Sequence, residues 1–495
     1  MKLVDMHSSL ILGVLTDSIM TDYSCILDGV PDYREYFTLD QLNANSEALA
    51  KNCPDVVKLL ELGKSTKGEP IKCLKIGEGS YRALIYGFPN PEEPLGGLLL
   101  DYFSRALVEN RTLLRELDYT WYLVKCIDPD GARLAEGFLK GPFTPLHFAE
   151  NYYRTPYSLA GEMNFPFRHG NLDFNNPVAE TKALMKILDE TSFDFISSLH
   201  NMKWGGITYQ VSEPCPSLYS PLLQLAKTHN VFPRKRLGTI LAPGVQFASY
   251  PAGYFTPVRN YAKAKAAGIA PLPDIKGAFT FEYALLSNQH LFMLVPECCL
   301  WYDPRCWEES PSDATVAEML KYAGQAGSES SKFMLSLYEK AEPALRTPSP
   351  FLEMIRNLID ELRTRKVNVL DPNPRLSERD LNRTASVAEK CETEGRADVY
   401  RLFNLGAMIR MLDHQLASKG SGDSVLKSCR NEAVSRLEEY DKDIKEKYDC
   451  KAFPIRNLVG MNLGSILYSA EYVKWKGWDR SRLPAVSIES RPLVV

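Results

Sequence analysis

The chain has 495 residues, 45% of them apolar and 24% charged, with a formal net charge of -4. That length exceeds one ordinary core, so a main domain with a second unit is expected. The charge balance gives no footing for nucleic acid or an anionic membrane surface, and no apolar run is long enough to cross a bilayer.

Residues 1–34, rich in Asp and Tyr, read as an N-terminal extension. Thr38 to Leu62 carries apolar residues at helical spacing, and Gly63-Lys64-Ser65 with Lys67-Gly68-Glu69-Pro70 marks a tight turn. Ile71 to Ile76 and Ala83 to Tyr86 read as strands. Pro94 opens an amphipathic helix to about Val108, where its missing N–H would have had no partner. Further strands are expected at Trp121–Ile127, Phe193–Leu199, Ile207–Val211 and His290–Val295, with helices at Pro177–Glu190 and Leu222–Lys227. This alternation argues for an α/β layered domain with a largely parallel or mixed sheet. After about residue 306 strand signals nearly vanish. Ala314–Glu339, Phe351–Thr364, Glu378–Leu416, Val425–Tyr448 and Leu458–Tyr472 read as helices, with a Gly/Ser loop at 418–422. The expected units are therefore 1–34, an α/β domain at 35–306 and an all-α accessory region at 307–495.

Eleven cysteines with no CxxC pair suit reduced thiols better than a disulfide framework. Cys298–Cys299 is most simply two small strand residues. The apolar stretch Leu10–Leu15 runs into Thr16 and Asp17 without a cleavage pattern, so a cytoplasmic protein is expected.

Three segments could carry chemistry. His200 ends a buried strand and faces a strand-end cleft; a structural histidine is the simpler alternative. Asn90 and Glu93 share the loop Tyr86-Gly87-Phe88-Pro89-Asn90-Pro91-Glu92-Glu93-Pro94-Leu95-Gly96, which also reads as a plain turn with a capping carboxylate. Glu297 stands in the apolar strand Leu294–Leu300, where burial would raise its pKa toward general-base range. An ion pair with Arg305 competes with that reading.

Taken together these segments resemble the zinc carboxypeptidases, in particular an intracellular branch with a helical C-terminal extension. The resemblance rests on Gly63-Lys64-Ser65 with Gly68-Glu69-Pro70-Ile71, on Gly87 to Gly96, on Asp128-Pro129-Asp130-Gly131, on Ser198-Leu199-His200-Asn201, and on Glu297. They occur in the family's order over residues 35–306. The resemblance implies a mixed sheet flanked by helices, and one zinc held by three residues with a fourth position for water. By position, Glu93 and His200 match zinc ligands and Glu297 the catalytic base. Arg154 is the arginine for substrate or oxyanion, with Asn151 and Arg133 behind it, and Tyr283 is the nearest match to a family tyrosine. The third ligand position falls on Asn90, where the family has His, and an amide oxygen is a poor zinc donor. Asp128 replaces an Asn in its turn.

Asn90 reads in three ways: a substitution made to disable the site, a natural weak site completed by Glu92 or water, or a catalytically inactive relative that binds a peptide or small molecule. The implied substrate is a peptide or small amide, cleaved at its C-terminal bond. Trp204, Tyr209, Phe247 and Tyr250 read equally as pocket lining or core.

Overall fold

The computed structural model describes residues 21–169, 172–234, 247–249, 277–364, 376–418 and 423–479. Ten strands form one sheet: β1 (Val57–Lys64), β2 (Pro70–Ile76), β3 (Tyr81–Tyr86), β4 (Tyr119–Val124), β5 (Phe195–Ser198), β6 (His200–Trp204), β7 (Ile207–Val211), β8 (Phe247–Ser249), β9 (Phe292–Tyr302) and β10 (Lys451–Ala452). Their order is β1-β2-β4-β3-β5-β9-β7-β8, with β6 and β10 both paired to β9. The centre β4-β3-β5-β9 is parallel, while β1, β2 and β7 run antiparallel to their inner neighbours. The sheet is therefore mixed.

The main helices are α1 (Leu39–Asn52), α2 (Leu95–Glu109), α3 (Pro129–Ala135), α4 (Ala179–Glu190), α5 (Pro216–Thr228), α6 (Val316–Ala341), α7 (Pro350–Thr364), α8 (Val387–Ser418), α9 (Ser424–Lys447) and α10 (Ile455–Asp479). Strand alternation sorts them onto two faces. Ala83 and Ile85 of β3 join a core with Leu98 and Leu107 of α2, Leu222 of α5 and Leu463 of α10. Leu84 and Tyr86 turn the other way, onto Leu184 and Ile187 of α4 and Phe281. The first core continues into Met334 of α6, Ile355 of α7 and Leu402 of α8, so the helical C-terminal region shares apolar packing with the sheet. Among the described residues no helix is long and apolar enough to cross a membrane.

The second face carries a buried carboxyl. Glu282 accepts the Phe279 N–H at 3.0 Å through one oxygen, while its other oxygen is buried without a partner among the described residues. Burial pushes its pKa up to about 7. A group whose folded pKa is raised stabilises the fold below its unfolded pKa and loses that contribution as pH rises through the folded value. Glu282→Gln keeps the acceptor and cannot ionise, so it should gain on the order of 3 kcal/mol over the parent at pH 8. The gain should disappear near pH 4, as urea unfolding at the two pH values will show.

Several expectations need correction. The helix expected over Thr38–Leu62 stops at Asn52, and residues 57–64 form β1 against β2. Pro54 cannot extend the helix, and the following Val56-Val57 favours a pleated surface. The helix expected over Glu378–Leu416 is broken. Thr384–Ser386 pairs with Pro311–Thr315, and Ser386 then caps α8 by accepting the Glu389 N–H at 3.2 Å. The C-terminal region also returns a strand to the sheet, as β10 pairs with Trp301 and Tyr302. All eleven cysteines are free, Cys298 and Cys299 included. Arg305 pairs with Asp303 and not with Glu297. Most of the Gly/Ser loop at 418–422, the segment 1–20 and Tyr250 lie outside the described residues.

Candidate functional site

The β3–α2 loop is set by a backbone crossing. A Cβ on Gly96 would meet Gly87 Cα at 2.8 Å and Leu199 Cβ at 2.9 Å, so glycine is needed for the first turn of α2 to lie against the β5–β6 junction. Leu95 N–H donates to Asn201 Oδ1 at 3.1 Å and ties the helix start to β6. The crossing brings Asn90 and Glu93 to His200 across more than a hundred residues of sequence. Gly96→Ala should therefore cost about 1–3 kcal/mol through overpacking. It should also displace the loop, read as altered protection of the Asn90–Glu93 amides in hydrogen exchange.

His200 Nδ1 lies 2.8 Å from Glu93 Oε2 and 3.3 Å from Asn90 Nδ2. Its Nε2 lies 3.3 Å from Glu162 Oε1 and 3.0 Å from Ser198 Oγ. Glu162 also accepts from Ser198 Oγ at 2.9 Å and from the Tyr86 hydroxyl at 3.2 Å. Asn90, Glu92, Glu93 and Glu162 are all buried. Arg154 Nη1 lies 2.8 Å from Glu92 Oε1 and 4.0 Å from Glu93 Oε1, and buried Lys203 Nζ lies 3.7 Å from each of those carboxylates.

The charges explain one another. Burial acts to raise the Glu93 carboxyl, but His200, Lys203 and Arg154 outweigh it and hold the group below its ordinary value. Burial acts to discharge His200, yet Glu162 and Glu93 raise it well above the usual imidazole range. The three carboxylates of Glu92, Glu93 and Glu162 thus face Arg154, Lys203 and an imidazolium, and the cluster balances itself. Unpaired charges at such depth would be costly.

Glu297 enters through sheet register. It is the Cα partner of His200 on one side and of Thr208 on the other, so the three side chains project from one face in one row. Glu297 is half-buried, between buried Val295 and Cys299 on its own face.

The remaining sequence-named residues lie elsewhere. Arg133 pairs with Asp40 and Glu69. Asn151 Nδ2 donates to the His147 carbonyl oxygen at 2.9 Å. Tyr283 donates to Asp189 at 2.8 Å. Glu92 is engaged by Arg154, and Asp128 caps α3 by accepting the Gly131 N–H at 2.9 Å. Burial pushes the Asp128 carboxyl up to about 6, against hydrogen bonds from Thr155 and Gly131. Trp204 and Tyr209 are buried core residues, and Trp204 Nε1 donates to the Cys391 carbonyl at 3.1 Å. Sequence reasoning missed Glu162, Ser198 and Lys203. Glu162 sits in a loop with no motif around it, and only its burial beside His200 marks it.

Among the described residues no group of three His, Cys, Asp or Glu side chains is arranged to hold a metal ion; the polar side chain that stands beside Glu93 and His200 is the amide of Asn90. Two strong donors, His200 Nδ1 and Glu93 Oε2, converge there. The other imidazole nitrogen faces a carboxylate, the arrangement that orients metal-binding histidines. Asn90 Oδ1 is buried without a partner among the described residues, and rotation of that amide turns it toward the same point. The residues fit zinc as two strong donors and one weak one.

Residues 42–141 match the family model described as "Zinc carboxypeptidase". Among solved structures, the carboxypeptidase A of Helicoverpa armigera is 16% identical over 57% of this chain and 70% of its own, with a TM-score of 0.36. Bovine thrombin-activatable fibrinolysis inhibitor, solved with a tick carboxypeptidase inhibitor, is 12% identical over 54% and 87%, with a TM-score of 0.35. A metallo-carboxypeptidase from Burkholderia cenocepacia is 14% identical over 53% and 60%, with a TM-score of 0.32. No curated protein matches the chain. The matched segment includes the Gly87–Gly96 loop with Asn90 and Glu93, so over that segment the chain is similar to the zinc carboxypeptidases.

Proposed function

We propose that the chain is a carboxypeptidase-type hydrolase acting at the C-terminal peptide or amide bond of its substrate, with a zinc site weakened by Asn90. The observation that carries this reading is the convergence of Asn90, Glu93 and His200 on one point, with Glu297 in register beside His200. In this reading Glu93 and His200 hold zinc and Asn90 Oδ1 completes the set. Zinc, when bound, supplies Lewis-acid polarisation of the scissile carbonyl.

The other steps fall to side chains of this chain. Glu297 takes a proton from the attacking water and delivers it to the leaving amine nitrogen. Arg154, whose Nη2 also meets the Tyr157 hydroxyl at 3.3 Å, exchanges its bond to Glu92 for the anionic end of the substrate. Glu162 and Ser198 hold the His200 ring in place. The units at 35–306 and 307–495 serve as catalytic domain and accessory region, and the cytoplasm is the proposed location.

A second reading is favoured by Lys203 and Arg154, which already neutralise Glu92 and Glu93. A cluster balanced without a metal suits a protein that binds a peptide C-terminus and leaves it uncut. Incubation of the zinc-loaded protein with a panel of peptides and C-terminal amides separates the two. Slow release of the terminal residue supports the hydrolase, and retention of intact bound peptide supports the binder.

A further inference from the structure

The row that joins His200, Glu297 and Thr208 continues one residue further. Ile207 bridges Pro233 in parallel fashion: Ile207 N–H donates to the Phe232 carbonyl, and Arg234 N–H donates to the Ile207 carbonyl at 2.9 Å. That register sets Arg234 beside Thr208, on the face that carries Glu297. The backbone separation from Glu297 is two strand spacings, roughly 10 Å.

Arg234 is 1% exposed. Its Nε donates to Glu392 Oε1 of α8 at 2.6 Å, but Nη1 and Nη2 are both buried without a partner among the described residues. Thr208, also 1% exposed, has an Oγ1 that is likewise unpartnered there. Three unmet polar atoms on adjacent positions are a concentrated cost, since each buried donor left without a partner forfeits about 1–3 kcal/mol. A guanidinium held at Nε with two Nη groups to spare is shaped for bidentate carboxylate recognition.

We infer that Arg234 and Thr208 form a carboxylate-binding subsite beyond Glu297, walled by α8, which receives an acidic group of the peptide ligand. The inference rests on the peptide-cleft reading above and adds a ligand preference to it. It also gives the C-terminal helical region a part in recognition, because Glu392 fixes the orientation of Arg234. The carboxylate is the side chain of a terminal acidic residue, since Arg154 takes the anionic end of the substrate.

The test uses the full chain and four fluorescent peptides identical except at their ends: Glu with a free carboxylate, Gln with a free carboxylate, Glu-amide and Gln-amide. Affinities are read by anisotropy. Because Arg234→Met alone takes the guanidinium from buried Glu392, the variant is Arg234→Met with Glu392→Gln; Thr208→Val is a milder second variant. The expected result is at least a tenfold loss of affinity in the double variant for the two Glu peptides, with the two Gln peptides unchanged and the melting temperature within a few degrees. Thr208→Val should give a smaller loss in the same direction. Loss confined to the two Glu peptides supports the side-chain subsite, and loss that follows the free α-carboxylate in Glu and Gln peptides alike overturns it. If all four peptides bind the parent and the folded variants alike, the subsite is overturned and the cleft reading stands. If no peptide binds the parent, the cleft reading fails and takes the subsite with it.

Discussion

Asn90→His should tighten zinc binding by more than about 100-fold. Losing even an outer partner of a metal ligand costs 10–100-fold in affinity, and here a directly coordinating position is at stake. Asn90 is buried with its Nδ2 turned toward His200 Nδ1 and its Oδ1 unpartnered among the described residues. As it stands, the position offers the metal an amide oxygen only after rotation. An imidazole there supplies a third strong donor at a point where Glu93 and His200 already converge. Competition against a chromogenic chelator at fixed pH will give both affinities. Equal affinities for the parent and Asn90→His would remove residue 90 from the metal site. The same substitution should raise hydrolysis of C-terminal amides, because a firmly held ion fixes the geometry in which Glu297 acts.

Glu297→Gln, made in the Asn90→His background, should leave zinc affinity within a fewfold and lower kcat by about 100- to 10,000-fold, the usual worth of a positioned general base. An amide of the same shape accepts a hydrogen bond but takes no proton. The strand should tolerate the change, since Glu297 is half-buried and no ion pair to it is seen among the described residues. Retained activity with retained zinc would move the proton transfer to another group. Glu162 is then the next carboxylate to examine, 3.3 Å from His200 Nε2.

How much of this was legible in the sequence follows from range. The Gly87–Gly96 loop announces itself locally: glycines at the crossing, a proline at the helix start, and three polar residues between. His200 was legible from its place at the end of Phe193–Leu199 only together with the other segments, since alone it reads more simply as a structural histidine. Glu297 was legible as a carboxylate in an apolar strand, although the Arg305 partner suggested by proximity in sequence pairs with Asp303 instead. The helix expected over Thr38–Leu62 merged two elements, because the apolar spacing continued past Pro54 into residues that alternate as a strand. Glu162 and Arg234 were not legible. Each owes its place to long-range packing: Glu162 to Tyr86 and Ser198, and Arg234 to Glu392, 158 residues away. No local pattern reports a contact of that kind. The C-terminal helices were legible as helices, but their share in the sheet through Lys451–Ala452 was not, since two residues carry no strand signal.

The central claim is that residue 90, Glu93 and His200 form one cation site at the strand ends. The most direct test is a crystal of the Asn90→His protein grown with zinc, with diffraction recorded on both sides of the zinc absorption edge. The account predicts a single strong anomalous peak within coordination distance of the imidazole introduced at position 90, of Glu93 Oε2 and of His200 Nδ1. A peak elsewhere, or none at the junction of the β3–α2 loop with β6 while the side chains are ordered, would contradict it.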